Sequence, residues 1–106
     1  ILVRRGAQRT DGYQISQALL LDERSQFLAK PELEIYADDV KCSHGSTAGA
    51  IDEAALFYLR SRGVPEAEAK DLLTLAFLEG ALEEIADRRL AEDLSRRLGD
   101  WLERRR

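Results

Sequence analysis

The chain has 106 residues, of which 44% are hydrophobic and 34% are charged, so it is long enough for one small folded domain and is neither disordered nor fibrous. Its net charge of −4 argues against a nucleic-acid-binding protein. Its apolar runs are far shorter than the roughly 20 residues that cross a bilayer, and no secretory signal pattern opens it, so we expect no membrane association.

The charge is distributed unevenly along the chain. Residues 1–31 carry a net charge of +2, residues 32–85 carry −8 and residues 86–106 carry +2. In the last segment basic and acidic residues alternate, which is typical of a solvated helix face with i,i+4 pairs. The chain contains no Met and begins with Ile1 inside a predicted strand, so we expect it to be a fragment of a longer protein.

Up to about residue 45 the pattern predicts short strands. Apolar runs occur at residues 1–3, 19–21 and 33–37, and polar stretches separate them. In the third run Leu33, Ile35 and Ala37 alternate with more polar positions, as in a half-buried strand. The runs lie roughly 15 residues apart, which suggests the rungs of a solenoid, but three runs do not establish a repeat.

From Thr47 onward the pattern is helical and predicts three helices. Asp52 is expected to cap the first helix, which ends at Gly63. The second helix is predicted over residues 65–86, with a proline at its first position, and Asp87 is expected to cap the third.

The second helix carries apolar residues on nearly all of its faces, so we expect it to be central. Gly80, in its middle, predicts a close crossing with a neighbouring helix, because glycine there is otherwise unfavourable. From the residues alone the chain is therefore predicted to be an α+β protein, with short strands followed by three helices.

Cys42 and His44 are the one cysteine and the one histidine of the chain, and they lie two positions apart. Thiolate and imidazole are ligands of iron–sulfur clusters, zinc and copper, and an imidazole can also activate a thiol. On an extended segment both side chains share a face, but two ligands complete no metal site. From residue types alone, a half-buried cysteine beside a surface histidine is the simpler interpretation.

Two further stretches are predicted to be structural. Asp38 and Asp39 are adjacent and would point to opposite faces of a strand, which favours a turn or a solvated face over a shared site. Residues 45–49 lack the Gly-Lys-Ser/Thr ending of a phosphate loop and are predicted to form a flexible turn, with Thr47 or Asp52 capping the following helix. With one histidine and no nucleophile-elbow motif, we expect no autonomous enzyme.

Several segments resemble the SufB/SufD family of iron–sulfur cluster assembly scaffold proteins. The most specific reads LEIYADDVKCSHG and spans residues 33–45. Its Cys-Ser-His-Gly ending is similar to the SufD branch, whereas SufB-like chains tend to read Cys-Glu-His-Glu. The other similar segments, which extend the resemblance over essentially the whole chain, are residues 6–14, 19–21, 52–53 and 56–63.

The resemblance implies a fold: the last rungs of a right-handed parallel β-helix at residues 1–46, followed by a C-terminal three-helix domain at residues 47–106. It also implies a function as a non-catalytic subunit of an ATP-driven iron–sulfur assembly complex. In that complex the chain would pair with a SufB-like subunit and dock a SufC-like ATPase on its helices. The residues expected at the ATPase-docking surface are Asp52, Glu53, Phe57, Tyr58 and Arg60.

The resemblance further implies a site. His44 matches the SufD histidine that lies near the interface with SufB and is implicated in building the nascent cluster, and Cys42 matches the cysteine of the same motif. We expect a transient iron–sulfur cluster in the full complex and none on this fragment alone. The expected compartment is the bacterial cytoplasm, or the plastid stroma for a plant protein.

A truncated β-helix exposes an unpaired end rung, so we expect the isolated fragment to form a homo-oligomer. Two alternatives to the scaffold function stay open. The first is a purely structural interaction module without a cluster ligand of its own. The second is a redox enzyme that uses the thiol of Cys42, which ranks last because the chain has no resolving cysteine.

Overall fold

The computed structural model describes residues 1–105, which form two compact units divided between Gly49 and Ala50. The first unit contains the strands and the second contains the helices, so the predicted α+β class is confirmed. The strands form two sheets of two strands each, β1 with β3 and β2 with β4. Their bounds are β1 Leu2–Val3, β2 Asp11–Leu20, β3 Glu34–Ile35 and β4 Lys41–Ala50.

Strands β1 and β3 run parallel, with Leu2 opposite Glu34 and Val3 opposite Ile35. The first and third apolar runs of the sequence are therefore neighbours in space. Among the four residues of these two strands Val3 is the most buried, with 2% of its surface exposed, whereas its partner Ile35 is 41% exposed. Leu33 is also exposed, whereas Ala37 is half-buried, so the prediction of a half-buried face holds for Ala37 but not for Leu33 or Ile35.

The segments that lead into β2 and β4 also advance in the same direction. The Arg9 N–H donates to the Asp39 carbonyl at 2.6 Å, and one step further the Lys41 N–H donates to the Thr10 carbonyl at 2.9 Å. Because both partners move forward along the chain together, the two strands run parallel. Parallel strands need a long connection, and here residues 21–40 provide it.

The Gln8 side chain links the turn that precedes β2 to the bend that precedes β4. Its Nε2 donates to Asp38 Oδ1 at 2.9 Å, and its Oε1 accepts from the Asp39 N–H at 2.8 Å, so it joins residues separated by 30 and 31 positions. Arg9, next in the chain, has a left-handed φ of 61°, which costs about 1 kcal/mol or more for a non-glycine residue. Asp38 and Asp39 are exposed and lie in a bend, as predicted.

Strands β2 and β4, of ten residues each, are the main features that the sequence pattern did not predict. β4 contains all of residues 45–49, so the predicted flexible turn there is wrong, and so is the predicted onset of helical structure at Thr47. Glycine, serine and alanine have low strand propensity, which is why local pattern failed at this point. Pairing with β2 is a tertiary interaction that overrides that propensity.

The three predicted helices are present: α1 Glu53–Ser61, α2 Glu66–Leu82 and α3 Arg88–Glu103. The predicted caps of the first and third helices are confirmed. The Asp52 carboxylate accepts from the N–H groups of Ala54 and Ala55 at 2.8 and 3.1 Å. The Asp87 carboxylate likewise accepts from the N–H groups two and three positions further along, at 2.9 and 3.1 Å. Gly63 has a φ of 89°, the left-handed conformation typical of a residue just past a helix end.

Helix α2 packs against both α1 and α3, as its apolar composition predicted. The buried residues of this unit are Leu56, Ala69, Thr74 and Leu102, and the Thr74 hydroxyl donates to the Lys70 carbonyl at 2.8 Å. Helix α2 ends at Leu82 rather than near residue 86. No described helix is both long and apolar enough to cross a membrane.

Gly80 does not mark a helix crossing. Among the described residues, nothing lies within 4 Å of the position that a β-carbon at Gly80 would occupy, so that prediction is wrong. The residue lies on an exposed part of α2 near its end.

Ion pairs follow the exposed face of α3, as the alternating charges predicted. Asp93 accepts from the guanidinium groups of Arg97, at 2.6 Å, and of Arg96. Arg96 also reaches Asp100 at 3.4 Å. Hydrogen bonds from Arg97 and then from Arg96 hold the pKa of the Asp93 carboxyl below its ordinary value.

We predict that Asp87→Ala lowers the free energy of unfolding by about 1 kcal/mol, because two N–H groups at the start of α3 lose their acceptor. Asp87→Asn keeps a side-chain oxygen at the same place and should remain within a few tenths of a kcal/mol of the parent chain. Chemical denaturation followed by circular dichroism measures both. Equal losses in the two variants would show that the cap oxygen is not the stabilising group.

We predict that Asp93→Asn lowers the melting temperature by roughly a few degrees at most at neutral pH, since its ion pairs are exposed. The folded-state pKa of Asp93 is lowered, so its contribution is complete above the ordinary value of 3.8 and is lost as the pH falls through the folded-state pKa. The melting temperatures of variant and parent should therefore converge in acid. A difference that persists at acid pH would contradict this assignment.

Candidate functional site

Cys42 and His44 lie on β4, and strand alternation puts both on one face of the β2–β4 sheet. Cys42 is half-buried and His44 is exposed. The Cys42 Sγ lies 3.8 Å from the position that a β-carbon on Gly12 would take, so Gly12 of β2 shares this face. The motif is therefore held in place by parallel pairing with residues far away in sequence.

His44 lines a cleft of about 200 Å³ in the first unit. One wall is the β2–β4 sheet, and the other is the loop that follows β2. The lining residues are Gln14, Ser16, Phe27, Leu28, Ala29, Lys30, Pro31, His44, Gly45 and Ser46. Cys42 is not among them. The two motif residues therefore lie on the same face of the sheet, but only His44 lines the cleft.

The loop over the cleft begins with a turn closed by Asp22. Its Oδ1 accepts from the N–H groups of Arg24 and Ser25 at 2.8 and 3.0 Å, and its Oδ2 accepts from the Ser25 hydroxyl at 2.9 Å. The Ser25 hydroxyl and the Arg24 N–H lower the pKa of the Asp22 carboxyl, because both donate to its charged form. This turn fixes the start of the segment that carries Phe27 and Lys30 to the cleft.

Residues 1–105 bring no three His, Cys, Asp or Glu side chains together in a geometry that could hold a metal ion. Cys42 and His44 are thus two potential soft ligands without a third among the described residues. A cluster site that includes either of them needs donors from another chain or from further residues.

The opposite face of the β2–β4 sheet carries two exposed large apolar side chains. Tyr13 and Ile15 of β2 are 64% and 49% exposed. The Tyr13 hydroxyl lies 3.1 Å from the position of a β-carbon on Gly45, so the phenol covers this glycine closely. Cys42 and His44 therefore lie on one face of the sheet, and the exposed side chains of Tyr13 and Ile15 lie on the other.

The five predicted docking residues all belong to α1 or its cap. The Asp52 carboxylate is engaged in capping, and the Arg60 guanidinium lies 3.5 Å from Glu66. Phe57 and Tyr58 project outward and are 74% and 57% exposed, and Glu53 is also exposed.

Two ion pairs and one contact between a guanidinium and a ring lie at the C-terminal end of α1. The Arg62 guanidinium lies 4.9 Å from the centre of the Tyr58 ring. Glu66 also pairs with Lys70 at 2.7 Å, and the Lys70 ammonium, with a smaller effect of Arg60, lowers the pKa of the Glu66 carboxyl. The exposed aromatic pair is thus surrounded by charged groups that are already partnered.

Sequence reasoning did not identify Gln14, Ser16, Lys30 and Ser46, the polar residues that share the cleft with His44. Each is a common surface residue in a polar stretch, so composition gives no signal for them. The signal that exists is spacing: Gln14 precedes His44, and Ser16 precedes Ser46, by the same separation that joins Gln8 to Asp38.

The comparison with protein-family models matches residues 1–77 to the family described as "SUF system FeS cluster assembly, SufBD core domain". The match covers the whole first unit and extends into α2.

Individual proteins are similar over a larger part of the chain. The iron–sulfur cluster assembly protein SufD of Escherichia coli is 42% identical over 102 residues, which are 96% of this chain and 24% of that protein. A SufBD family iron–sulfur cluster assembly protein of Synechocystis is 42% identical over 85 residues, 80% of this chain and 19% of that protein. The protein named ABCI7, chloroplastic, of Arabidopsis thaliana is 37% identical over 92 residues, 87% of this chain and 19% of that protein. The chain thus spans a quarter or less of the length of these relatives.

We predict different effects of alanine at two glycines of β4. Gly49→Ala should stabilise by about 0.4–1 kcal/mol, because nothing lies within 4 Å of its β-carbon position and the unfolded chain loses freedom. Gly45→Ala should lose that gain, because the new methyl group must displace the Tyr13 hydroxyl. Thermal unfolding and the Tyr13 ring resonances measure both effects. Equal stabilisation with unchanged Tyr13 resonances would contradict the close contact.

Proposed function

This chain belongs to the SufB/SufD family of iron–sulfur cluster assembly proteins, and on that basis we propose that it is part of a non-catalytic subunit of an ATP-driven assembly complex. In this proposal it pairs with a SufB-like subunit and docks a SufC-like ATPase. The observation that carries the proposal is the position of His44, an exposed imidazole at a cleft, with too few potential ligands among the described residues to complete a metal site alone.

An incomplete ligand set is what a shared site requires. An imidazole that binds a cluster at a subunit interface must be accessible from outside, and its remaining co-ligands must come from the partner. His44 is exposed and Cys42 is half-buried, so His44 is the better candidate for this role. The iron–sulfur cluster is then cargo that passes through the complex, and the isolated chain keeps none.

We propose that the paired strands are consecutive turns of a parallel β-helix. The parallel pairing of β1 with β3, and the parallel direction that the backbone hydrogen bonds indicate for β2 and β4, support this, because a β-helix stacks each turn on the previous one through such pairs. The hydrogen bonds of Gln8 with Asp38 and Asp39 join equivalent positions of the two proposed β-helix turns and support the same interpretation. The open edges of both sheets would pair with further turns or with another chain.

Exposed apolar side chains support partner binding by both units. In the first unit Tyr13, Ile15 and Leu28 are 64%, 49% and 89% exposed. In the second unit Phe57 and Tyr58 of α1 are the most exposed aromatic residues. We assign Leu28, which lines the cleft with His44, to contacts with the SufB-like subunit, and Tyr13 and Ile15, on the opposite face of the sheet, to contacts with a second copy in the isolated fragment.

We assign the aromatic pair of α1 to ATPase docking, with Asp52, Glu53 and Arg60 at its margin. Asp52 and Glu53 give the N-terminal end of α1 an acidic character. Near the other end, an ion pair with Glu66 holds Arg60 beside the aromatic pair. For the compartment we propose the bacterial cytoplasm or the plastid stroma, and one of the relatives is named a chloroplastic protein.

A purely structural interaction module is the second candidate function. The engagement of Asp52 in a helix cap, and of Arg60 in an ion pair, favours it, because these groups already have structural roles. In that case His44 would bind no cluster, and the subunit would act by holding its partners in place.

His44→Ala in the full complex separates the two candidates. We expect the rate of cluster formation to fall roughly 10- to 100-fold, because a lost ligand or its support typically has that effect. Anaerobic reconstitution with iron and sulfide, followed by visible absorption, measures the rate. Ser43→Ala, on the opposite face of the same strand, is the control and should keep the parent rate. A parent rate in His44→Ala would leave the structural module as the function.

A further inference from the structure

A groove runs along the seam between α2 and α3. Two clefts form it, one of about 130 Å³ and one of about 280 Å³. The smaller cleft joins Leu72 and Leu75, in the first half of α2, to Leu102 near the end of α3. The larger cleft joins Leu82 at the end of α2 to Ala91 near the start of α3. The two helices therefore run antiparallel, with a cleft toward each end of their seam.

The spacing of the lining residues places both clefts on one side of this seam. On α3 the lining residues Ala91, Ser95 and Gly99 follow one another at intervals of four and are small, so they leave space where larger side chains would fill the seam. The Ser95 hydroxyl donates to the Glu79 carboxylate and so links the two helices across the groove. On α2 the lining residues follow one helix face at intervals of four and three: Glu68, Leu72, Leu75, Glu79 and Leu82.

The floor of the groove is apolar and its rim is acidic. Leu72 is 45% exposed, and Leu75 and Leu82 are half-buried. No lysine or arginine of residues 1–105 lines either cleft. Within the same range Glu68, Glu83 and Glu103 have no ion-pair partner, so their negative charge is not neutralised inside the helical unit. The carboxylate side chains that line the two clefts are Glu68, Asp71, Glu79, Glu83, Glu92 and Glu103.

An apolar groove between two antiparallel helices fits a third helix, which packs the side chains of one face into it. Leu75 and Leu82, one in each cleft, are seven residues apart, which is two helical turns or about 10 Å. A helix with apolar residues on one face over roughly three turns therefore reaches both clefts. The acidic rim favours lysine and arginine on either side of that apolar face and repels an acidic helix.

We propose that the α2–α3 groove is a docking site for a basic amphipathic helix of a partner protein. Burial of apolar side chains in the two clefts supplies the affinity, and the carboxylates of the rim select the charge of the partner. The groove contains no residue of α1, to which the ATPase-docking residues were assigned, and the inference does not rest on the proposed function.

A designed helical peptide tests the groove. The peptide has about 18 residues, with leucines on one face over roughly three turns, lysines on both sides of that face and alanine elsewhere. It carries a fluorescent label, and anisotropy measures its binding to the full chain. We expect saturable binding that weakens as the salt concentration rises, because salt screens the attraction between lysines and carboxylates. A second peptide, with glutamate in place of every lysine, should not bind.

Two glycine variants locate the binding site. Among the described residues, nothing lies within 4 Å of the β-carbon position at Gly99 or at Gly80, so leucine at either position should keep the fold. Gly99 lines the smaller cleft, whereas Gly80 lines neither. Gly99→Leu fills that cleft and should raise the dissociation constant roughly tenfold, because one apolar anchor of the peptide loses its place. Gly80→Leu is the matched control and should keep the parent value.

Two charge variants test the acidic rim. Glu83→Gln removes a carboxylate of the larger cleft and should raise the dissociation constant roughly threefold at low salt. Glu84→Gln removes the same charge from the next residue, which is also exposed but lines neither cleft, so it should leave the dissociation constant near the parent value.

Four outcomes would overturn the inference. Three concern the peptides: no saturable binding of the basic peptide, equal binding of the acidic peptide, or the same dissociation constant in Gly99→Leu as in Gly80→Leu. The fourth concerns the chain itself and is measured by analytical ultracentrifugation without peptide. Self-association that persists in Gly80→Leu but is lost in Gly99→Leu would show that a second copy of this chain occupies the groove.

Discussion

Two parallel pairings, β1 with β3 and β2 with β4, hold the first unit together, and the candidate site exists only because of them. They bring Gly12 beside Cys42 and close the corner at Gln8 and Asp38. Each pairing joins segments that are separated by a long connection, so neither is favoured by local interactions. The loop between β2 and β3 then has fixed ends, which is what places Lys30 at the cleft beside His44.

The core that these pairings bury is thin. Val3 is the one buried hydrophobic residue described in the first unit, and the second unit has Leu56, Ala69 and Leu102. Many large apolar side chains stay exposed, with Leu28 at 89% as the extreme. Apolar surface of this kind is stabilising only once it is buried, which is consistent with the partner contacts proposed above.

Much of the helical unit could be predicted from the sequence, because its signals are local. A cap requires one carboxylate two or three residues before free N–H groups, and Asp52 and Asp87 both satisfy this. Central packing of α2 followed from apolar residues on all its faces. The prediction that Gly80 marks a helix crossing was wrong. A glycine in a helix shows only that no side chain is present, and whether another helix packs there depends on neighbours that the sequence does not specify.

The sequence by itself determined the mixed class, the helices and their caps, and the family, because a motif of adjacent residues such as Cys42-Ser43-His44-Gly45 is recognisable without a fold. Tertiary structure alone decided that residues 41–50 form a strand, that His44 and not Cys42 lines the cleft, and that Lys30 joins it. The reason is physical: glycine- and serine-rich segments have weak conformational preferences of their own, so hydrogen bonding to a partner strand distant in sequence sets their structure.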